Sequence, residues 1–247
     1  MATMTYCLGI TTKDGFVVAS DSRSNAGYDQ VNVCRKMHTF VTPGERLFVV
    51  LTSGSLSCSQ SIVTLLRKDF DAGAGLAKAD SMYDAARVVG EQVRRVAELD
   101  RQALEQDDYK FNVHILLAGQ IRGQPHDLYL LYPQGNPLRA TEDSPFLQTG
   151  ECKYGRPILD RGVRYDRTTL EDAARYALIS LDSTIRSNVT VGPPIDLLVY
   201  ARDELRVVRH RRFPERDPDL LAVHTQWEHA LQQAVQALPH VRFDDDG

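Results

Sequence analysis

At 247 residues, with 43% hydrophobic and 25% charged side chains, the chain has the material for one large buried core, and no composition break or Pro/Ser-rich stretch marks a second domain. A formal charge of -4 gives no electrostatic case for nucleic acid. The longest apolar runs are a few residues, far below the ~20 needed to cross a bilayer, and Met1-Ala2-Thr3-Met4 lacks the basic and apolar regions of a secretory signal, so a cytoplasmic location is expected.

In chain order, Thr5 to Thr11 reads as a strand, Asp14-Gly15 as a two-residue turn, and Phe16 to Ser20 as the returning strand. A hairpin lays the end of its second strand beside the start of its first, which brings Asp21 back to Thr5. The next apolar run, Val33 to Val41, reads as a strand from which Lys36 can point into the same end and His38 can face the cleft. A threonine hydroxyl is a poor nucleophile at neutral pH until a base takes its proton. Were the chain to begin at Thr5, its own amine, with a pKa of about 7.7 to 8.0, would be that base. A lysine paired with an aspartate beside it sets a positive field that favours the alkoxide.

Arg46 to Leu51 is a buried strand, and Ser57 to Phe70 carries Ile62, Leu65, Leu66 and Phe70 at helical spacing. A longer helix from about Ser81 to Glu105 has an apolar stripe through Met82, Ala86, Val89, Val93, Val96 and Leu104, with a charged face opposite. After the polar stop Gln106-Asp107-Asp108 come strands at Phe111 to Ala118 and Leu128 to Tyr132, then a turn at Gln134 to Pro137. A capping box, Thr168-Thr169-Leu170-Glu171, opens a helix whose buried side runs from Leu170 to Leu181. Closing strands are expected at Ile195 to Ala201 and Leu205 to Arg209.

Beyond them the basic cluster Arg209 to Arg212 lies beside Glu215, Asp217 and Asp219 and reads as a salt-bridge surface. Asp217-Pro218 then starts an amphipathic helix over Leu220 to Leu238. Its apolar side, with Trp227, packs on its own core or docks on a neighbouring subunit, and the second is the preferred expectation. Cys7, Cys34, Cys58 and Cys152 have no C-x-x-C spacing, so they read as reduced thiols rather than zinc ligands. No Gly-x-Ser-x-Gly elbow anchors a Ser-His-Asp triad.

The run from Gly9-Ile10 to Asp21-Ser22-Arg23 resembles the amino-terminal signature of proteasome-type β subunits, members of the N-terminal-nucleophile hydrolases. Leu51 to Gln60 resembles that family's strand, glycine turn and first helix. Ala174 to Asp182 followed by Ser187-Asn188 resembles its later helix. The Met-Thr-Tyr-Cys opening, the Asp-Ser-Arg-Ser-Asn-Ala-Gly run and Val191 to Asp196 are most similar to the bacterial Anbu, or ancestral β-subunit, branch.

The resemblance, which extends to about Arg212, implies a four-layer α/β/β/α sandwich. The chain is expected to be a single proteasome-like domain over residues 1–247, with a core at 5–212 and a C-terminal helical extension at 213–247. The element order is compatible with this fold without demanding it. The resemblance implies Thr5 as nucleophile, its freed amine as base, Asp21 and Lys36 as the activating pair, and Gly54 as the oxyanion donor. Asp182 and Ser187 are its further members. Ser24, Thr52 and Leu56 would line a specificity pocket for a small or moderately apolar side chain.

Two departures stand out. Ile185 occupies the place of the family's serine three residues beyond the aspartate, and Glu151 replaces the serine of Gly-Ser-Gly at Thr149-Gly150-Glu151. Anbu-like chains begin Met-Thr, so a start at Met4 is expected, with a Met1 to Met4 propeptide as the alternative. The activity implied is threonine-type peptidase chemistry on a peptide or amide substrate. It needs no metal or organic cofactor and takes place inside a homo-oligomeric ring or open spiral. An amidohydrolase of small or modified amides and a non-catalytic scaffold are the rival readings, and Thr5, Asp21 and Lys36 together speak against the scaffold. The sequence does not indicate an unfoldase partner.

Overall fold

The computed structural model describes residues 5–25, 31–106 and 111–241. The expected start at Met4, the Ala26-Gly27 part of the run after Asp21 and the polar stop at Asp107-Asp108 lie outside them.

β1 (Tyr6–Thr12) and β2 (Gly15–Ser20) form the expected hairpin, with Thr12 opposite Gly15. The turn residues are therefore Lys13-Asp14, one position earlier than expected. Gly15 is already in the ladder, at a φ of 141°, and a Cβ there would lie 2.1 Å from the Tyr200 carbonyl oxygen, so only glycine fits. Flanked by β10 (Phe146–Gly150) on one side and by β11 (Ile195–Ala201) and β12 (Arg209–Phe213) on the other, the hairpin makes a five-stranded sheet in the order β10-β1-β2-β11-β12. The second five-stranded sheet runs β5 (Met37–Thr42), β6 (Arg46–Gly54), β7 (Val113–Ile121), β8 (Asp127–Leu131) and β9 (Pro137–Arg139). A short ribbon, β3 (Arg23–Asn25) with β4 (Val31–Val33), connects them in sequence. Every strand pair is antiparallel.

Strand alternation builds the layers. In β6, Leu47, Val49 and Leu51 face the first sheet and pack with Cys7, Phe16, Val18, Leu116, Ala118 and Leu198. Phe48 and Val50 face the other way, onto α1 (Leu56–Asp71) and α2 (Met82–Gln106), where they meet Ile62, Leu66, Val89 and Val93. Both faces of this strand are covered, which is why it reads as an unbroken apolar run. Gly9 lets the sheets close: a Cβ there would sit 2.7 Å from the Leu128 side chain. On the outer side of the first sheet, α3 (Cys152–Gly162) and α4 (Leu170–Ser187) pack against β1, β2, β10 and β11. The result is the four-layer α/β/β/α sandwich.

Several elements differ from expectation. The expected strand from Val33 to Val41 is broken at Cys34 to Lys36. There the chain changes partners: Cys34 N–H donates to the Ser22 carbonyl, extending the β3–β4 ribbon, and the Lys36 carbonyl accepts from Thr52 N–H, already beside β6. The second closing strand begins at Arg209, not Leu205. Leu205 is in the left-handed region at φ 46°, and its N–H donates to the Tyr200 hydroxyl at 3.2 Å. The segment with Pro157, Gly155 and Gly162 is helical although each of these residues weakens a helix. Gly155 is held by close approach, since a Cβ there would lie 2.3 Å from the Ser180 hydroxyl and 2.5 Å from that of Tyr6.

Residues 216–247 separate from residues 1–215 as a second compact unit. Within it α5 (Pro218–Gln236) starts as the sequence leads one to expect: the Asp217 carboxylate caps Asp219 N–H at 3.0 Å, and Pro218 sits in the first turn. No residue of α5 is buried, and Leu221, Leu231 and Val235 are more than half exposed.

Candidate active site

The hairpin register decides the site. Because Cys7 pairs with Ser20, the next residue out on each strand end brings Asp21 against Thr5 and Tyr6. The Thr5 hydroxyl donates to Asp21 Oδ1 at 2.7 Å, and Tyr6 N–H donates to the same oxygen at 3.0 Å. The other carboxylate oxygen accepts from Arg23 N–H at 3.2 Å and from Gly192 N–H at 3.3 Å. Lys36, emerging from the break before β5, directs its ammonium into this group. It donates to Asp21 Oδ1 at 2.5 Å, to the Arg23 carbonyl at 2.6 Å, and to Thr5 Oγ1.

Thr5, Asp21 and Lys36 are 3%, 0% and 5% exposed, so a full ion pair is held away from water. Burying such a pair costs several kcal/mol per ion unless every donor and lone pair is used. Here the ammonium spends all three protons, and the carboxylate takes five donors. This has a chemical consequence. A lysine with three committed protons is a fixed positive charge, suited to stabilising an alkoxide and not to abstracting a proton.

Thr5 opens onto a pocket that Lys36, Thr52, Gly54, Ser24 and Leu56 also line. Gly54 is exposed at the end of β6 with φ 104°, and a Cβ there would lie 2.0 Å from the Asn112 carbonyl oxygen. Backbone alone can occupy that rim. Behind the Thr5 hydroxyl, the Thr5 carbonyl oxygen accepts from Glu151 N–H at 2.8 Å. Gly150, at φ 89°, packs so tightly on Thr5 that a Cβ would meet its carbonyl oxygen at 2.0 Å. The Glu151 carboxylate lies 3.4 Å from Lys153 Nζ.

Of the residues expected from sequence, the structure brings Thr5, Asp21, Lys36 and Gly54 together with Ser24, Thr52 and Leu56. It does not bring Asp182 or Ser187 to the pocket lining. Asp182 lies half-buried on α4, whose buried residues are Ala173, Ala177, Ser180, Leu181 and Thr184, and Ser187 is that helix's exposed last residue. His38, expected to face the cleft, is absent from the lining as well. The structure adds Arg23, Ser53 and Ser59 to the pocket and Gly192 to the Asp21 carboxylate, and Cys34, which strand order already puts near the site, lines the pocket as well. Ser53 bonds Thr149 through their hydroxyls at 2.7 Å. Burial raises the Cys34 thiol above its ordinary pKa, with Lys36 opposing, and pushes Cys7 up to about 12. Both are poor nucleophiles at neutral pH. Among the described residues, no group of three or more His, Cys, Asp or Glu is placed to hold a metal ion, and no helix is long and apolar enough to cross a membrane.

Two antiparallel sheets between helix pairs, with a threonine heading the first inner strand, define the N-terminal-nucleophile hydrolase class of fold. A family model for the proteasome subunit matches residues 1–200. The proteasome subunit beta of Haloferax volcanii is 24% identical over 216 residues, spanning 85% of this chain and 79% of that one. Among solved structures, the helical assembly of the Anbu complex from Pseudomonas aeruginosa is 47% identical with a TM-score of 0.91, covering 96% of this chain and 98% of that one. Anbu (ancestral beta-subunit) from Yersinia bercovieri is 41% identical with a TM-score of 0.91, covering 97% of this chain and all of that one. The chain belongs to the proteasome-subunit family, in its Anbu branch.

Proposed function

We propose that the chain is a threonine-type N-terminal-nucleophile peptidase that hydrolyses amide bonds, with Thr5 as nucleophile. The observation that carries this reading is the Thr5 hydroxyl held between the Asp21 carboxylate and the Lys36 ammonium at the mouth of an open pocket. A scaffold would gain nothing from a buried ion pair aimed at a hydroxyl, since apolar residues of similar volume serve stability as well or better.

The chemistry follows from the geometry. Once Met4 is removed, the amine of Thr5 takes the hydroxyl proton while Lys36 stabilises the developing alkoxide. Attack on the substrate carbonyl gives a tetrahedral intermediate, and the Gly54 N–H is assigned to its oxyanion. The protonated amine then passes its proton to the leaving nitrogen, the C–N bond breaks, and water releases the acyl group from Thr5. Asp21 orients the hydroxyl and balances Lys36. The small polar lining of Ser24 and Thr52 with Leu56 suits a small or moderately apolar substrate side chain. Assembly into a homo-oligomer belongs to the same proposal, supported by the helical assembly of the similar Anbu complex.

Mass spectrometry after incubation with a threonine-directed β-lactone tests the chemistry. One acyl adduct on Thr5 is expected, and an adduct on Cys34 or none at all would overturn it. Light scattering tests the assembly, and a stable monomer at micromolar concentration would end that part of the proposal.

A further inference from the structure

The catalytic pair is not held by the sheet alone. Asp21 Oδ2 has two donors, Arg23 N–H and Gly192 N–H, and the second comes from the loop that follows α4. Ser22 N–H returns a bond to the Gly192 carbonyl at 3.2 Å, so the loop and the segment after β2 are tied both ways. Arg23 touches every part of this arrangement. Its N–H is on Asp21, its carbonyl takes a Lys36 proton, and its guanidinium donates to the Val189 carbonyl. The guanidinium also lies over Gly192, where a Cβ would come within 2.5 Å of Arg23 Cζ. The loop is otherwise a tight turn. Asn188 Oδ1 accepts from Thr190 N–H at 2.9 Å, Val191 N–H donates to the Asn188 carbonyl at 3.1 Å, and Val191 is fully buried while Val189 is 81% exposed.

We propose that Arg23 is a positioning residue for the Thr5 site: its guanidinium clamps the loop of residues 188–192 so that the Gly192 amide stays on Asp21, and the absence of a side chain at Gly192 is what seats the clamp. The inference rests on the reading of Thr5 as nucleophile. Its physical basis is that Asp21 and Lys36 share Arg23 backbone. Movement of the loop therefore reaches the carboxylate directly through Gly192, and the ammonium through the Arg23 carbonyl.

The clamp can be displaced in two independent ways. Arg23→Ala removes the guanidinium, and Gly192→Ala pushes it aside, because the contact it would violate is with the far end of a flexible side chain. In full-length protein processed to Thr5, acylation by the β-lactone should show a maximal rate about 10-fold to 100-fold below wild type for each variant. For Gly192→Ala the half-saturating probe concentration should stay within about twofold, because Gly192 does not line the pocket; Arg23 does line it, so Arg23→Ala is read on its maximal rate alone. Arg23→Lys should recover part of the rate by restoring one donor to the Val189 carbonyl. The double variant should be no slower than Arg23→Ala, since there is then no guanidinium left to displace. Hydrogen exchange in a peptide spanning residues 188–196 should quicken in both single variants.

Wild-type acylation rates in both single variants would overturn the proposal. So would multiplying effects in the double variant, or faster exchange with an unchanged rate, which would make the clamp merely structural. If wild type itself is not acylated, the reading of Thr5 fails separately, and the exchange of Arg23→Ala alone decides whether the clamp exists. Should Arg23→Ala fail to fold, Gly192→Ala carries the test with Arg23 in place.

Discussion

The two ends of the sandwich use buried polar groups for opposite purposes. At the end where β1 finishes, Gln120 is wholly buried, with its amide N–H on the Gln124 carbonyl at 2.8 Å and on Asp203 Oδ1 at 2.7 Å. Its carbonyl takes the Tyr200 hydroxyl at 2.6 Å and Asp203 N–H at 2.8 Å. Tyr200 stacks on Phe16 with ring centroids 4.7 Å apart, and burial pushes its hydroxyl up to about 12. This network closes a loop over the sheets. At the end where β1 begins, the buried groups are a lysine and an aspartate, both fully engaged, and the hydroxyl between them faces a pocket. Dense hydrogen bonding of the central polar groups, Gln120 at one end and Asp21 with Lys36 at the other, is common to both. A buried ion pair bonded to a hydroxyl that opens onto a pocket belongs to the second, an arrangement suited to chemistry where the first end serves as a structural lock.

Removing groups one end at a time sharpens this contrast. Thr5→Ala should abolish acylation outright while circular dichroism and light scattering stay as in wild type, because the hydroxyl that would accept the acyl group is lost and the change is otherwise one methyl group. Lys36→Ala should slow acylation by about 10²- to 10³-fold, the effect of deleting one preorganised oxyanion-stabilising group, as read by the time course of adduct mass. Tyr200→Phe acts on the other end. It strips a donor from Gln120 and leaves Leu205 N–H without its acceptor, so thermal or urea unfolding should show a loss of about 1–3 kcal/mol. Acylation of Thr5 should be unchanged. A large drop in acylation from Tyr200→Phe would dissolve the distinction between the two ends.

The smallest effect is on pH dependence. His126, at the closed end, donates from Nε2 to the Thr12 carbonyl at 2.8 Å, while its Nδ1 is buried without a partner. Burial lowers its pKa below the ordinary value, as it does for His38 and His114. Below about pH 6.5 the unfolded chain takes up protons that these folded imidazoles refuse, so stability is fully present above that pH and falls as the pH drops through it. The midpoint of thermal unfolding should therefore decline on acidification from pH 7, and His126→Gln should flatten part of the slope. A slope identical in the variant would show that His126 is not a contributor.

Much of this was legible from the chain. The hairpin of β1 and β2 needed only alternation and a turn signal, and its geometry alone predicted that Asp21 would meet Thr5. The α1, α2 and α4 helices followed from apolar spacing. What escaped had weak local signals. α3 was hidden because Pro157, Gly155 and Gly162 argue against a helix, and its packing against Ser180 and Tyr6 overrides them. Asp182 and Ser187, assigned from the resemblance, do not line the pocket, and a contact to Asp21 that no residue type signalled comes a few residues later, from the backbone of Gly192. A backbone N–H carries no residue-type signature, and no periodicity marks where a loop will return.

The sequence by itself therefore determined the family, the strands and helices with strong periodicity, and the three side chains whose types and order bring a hydroxyl, a carboxylate and a cation to one strand end. These are local matters, set within a hairpin and the segment after it. Only the tertiary structure decided that all three Lys36 protons are committed, that Gly54 forms an open rim, and that the loop beyond α4 reaches back across 171 residues to Asp21. Those depend on how two sheets and their helices close on one another, where distances of a few tenths of an ångström separate a hydrogen bond from a gap.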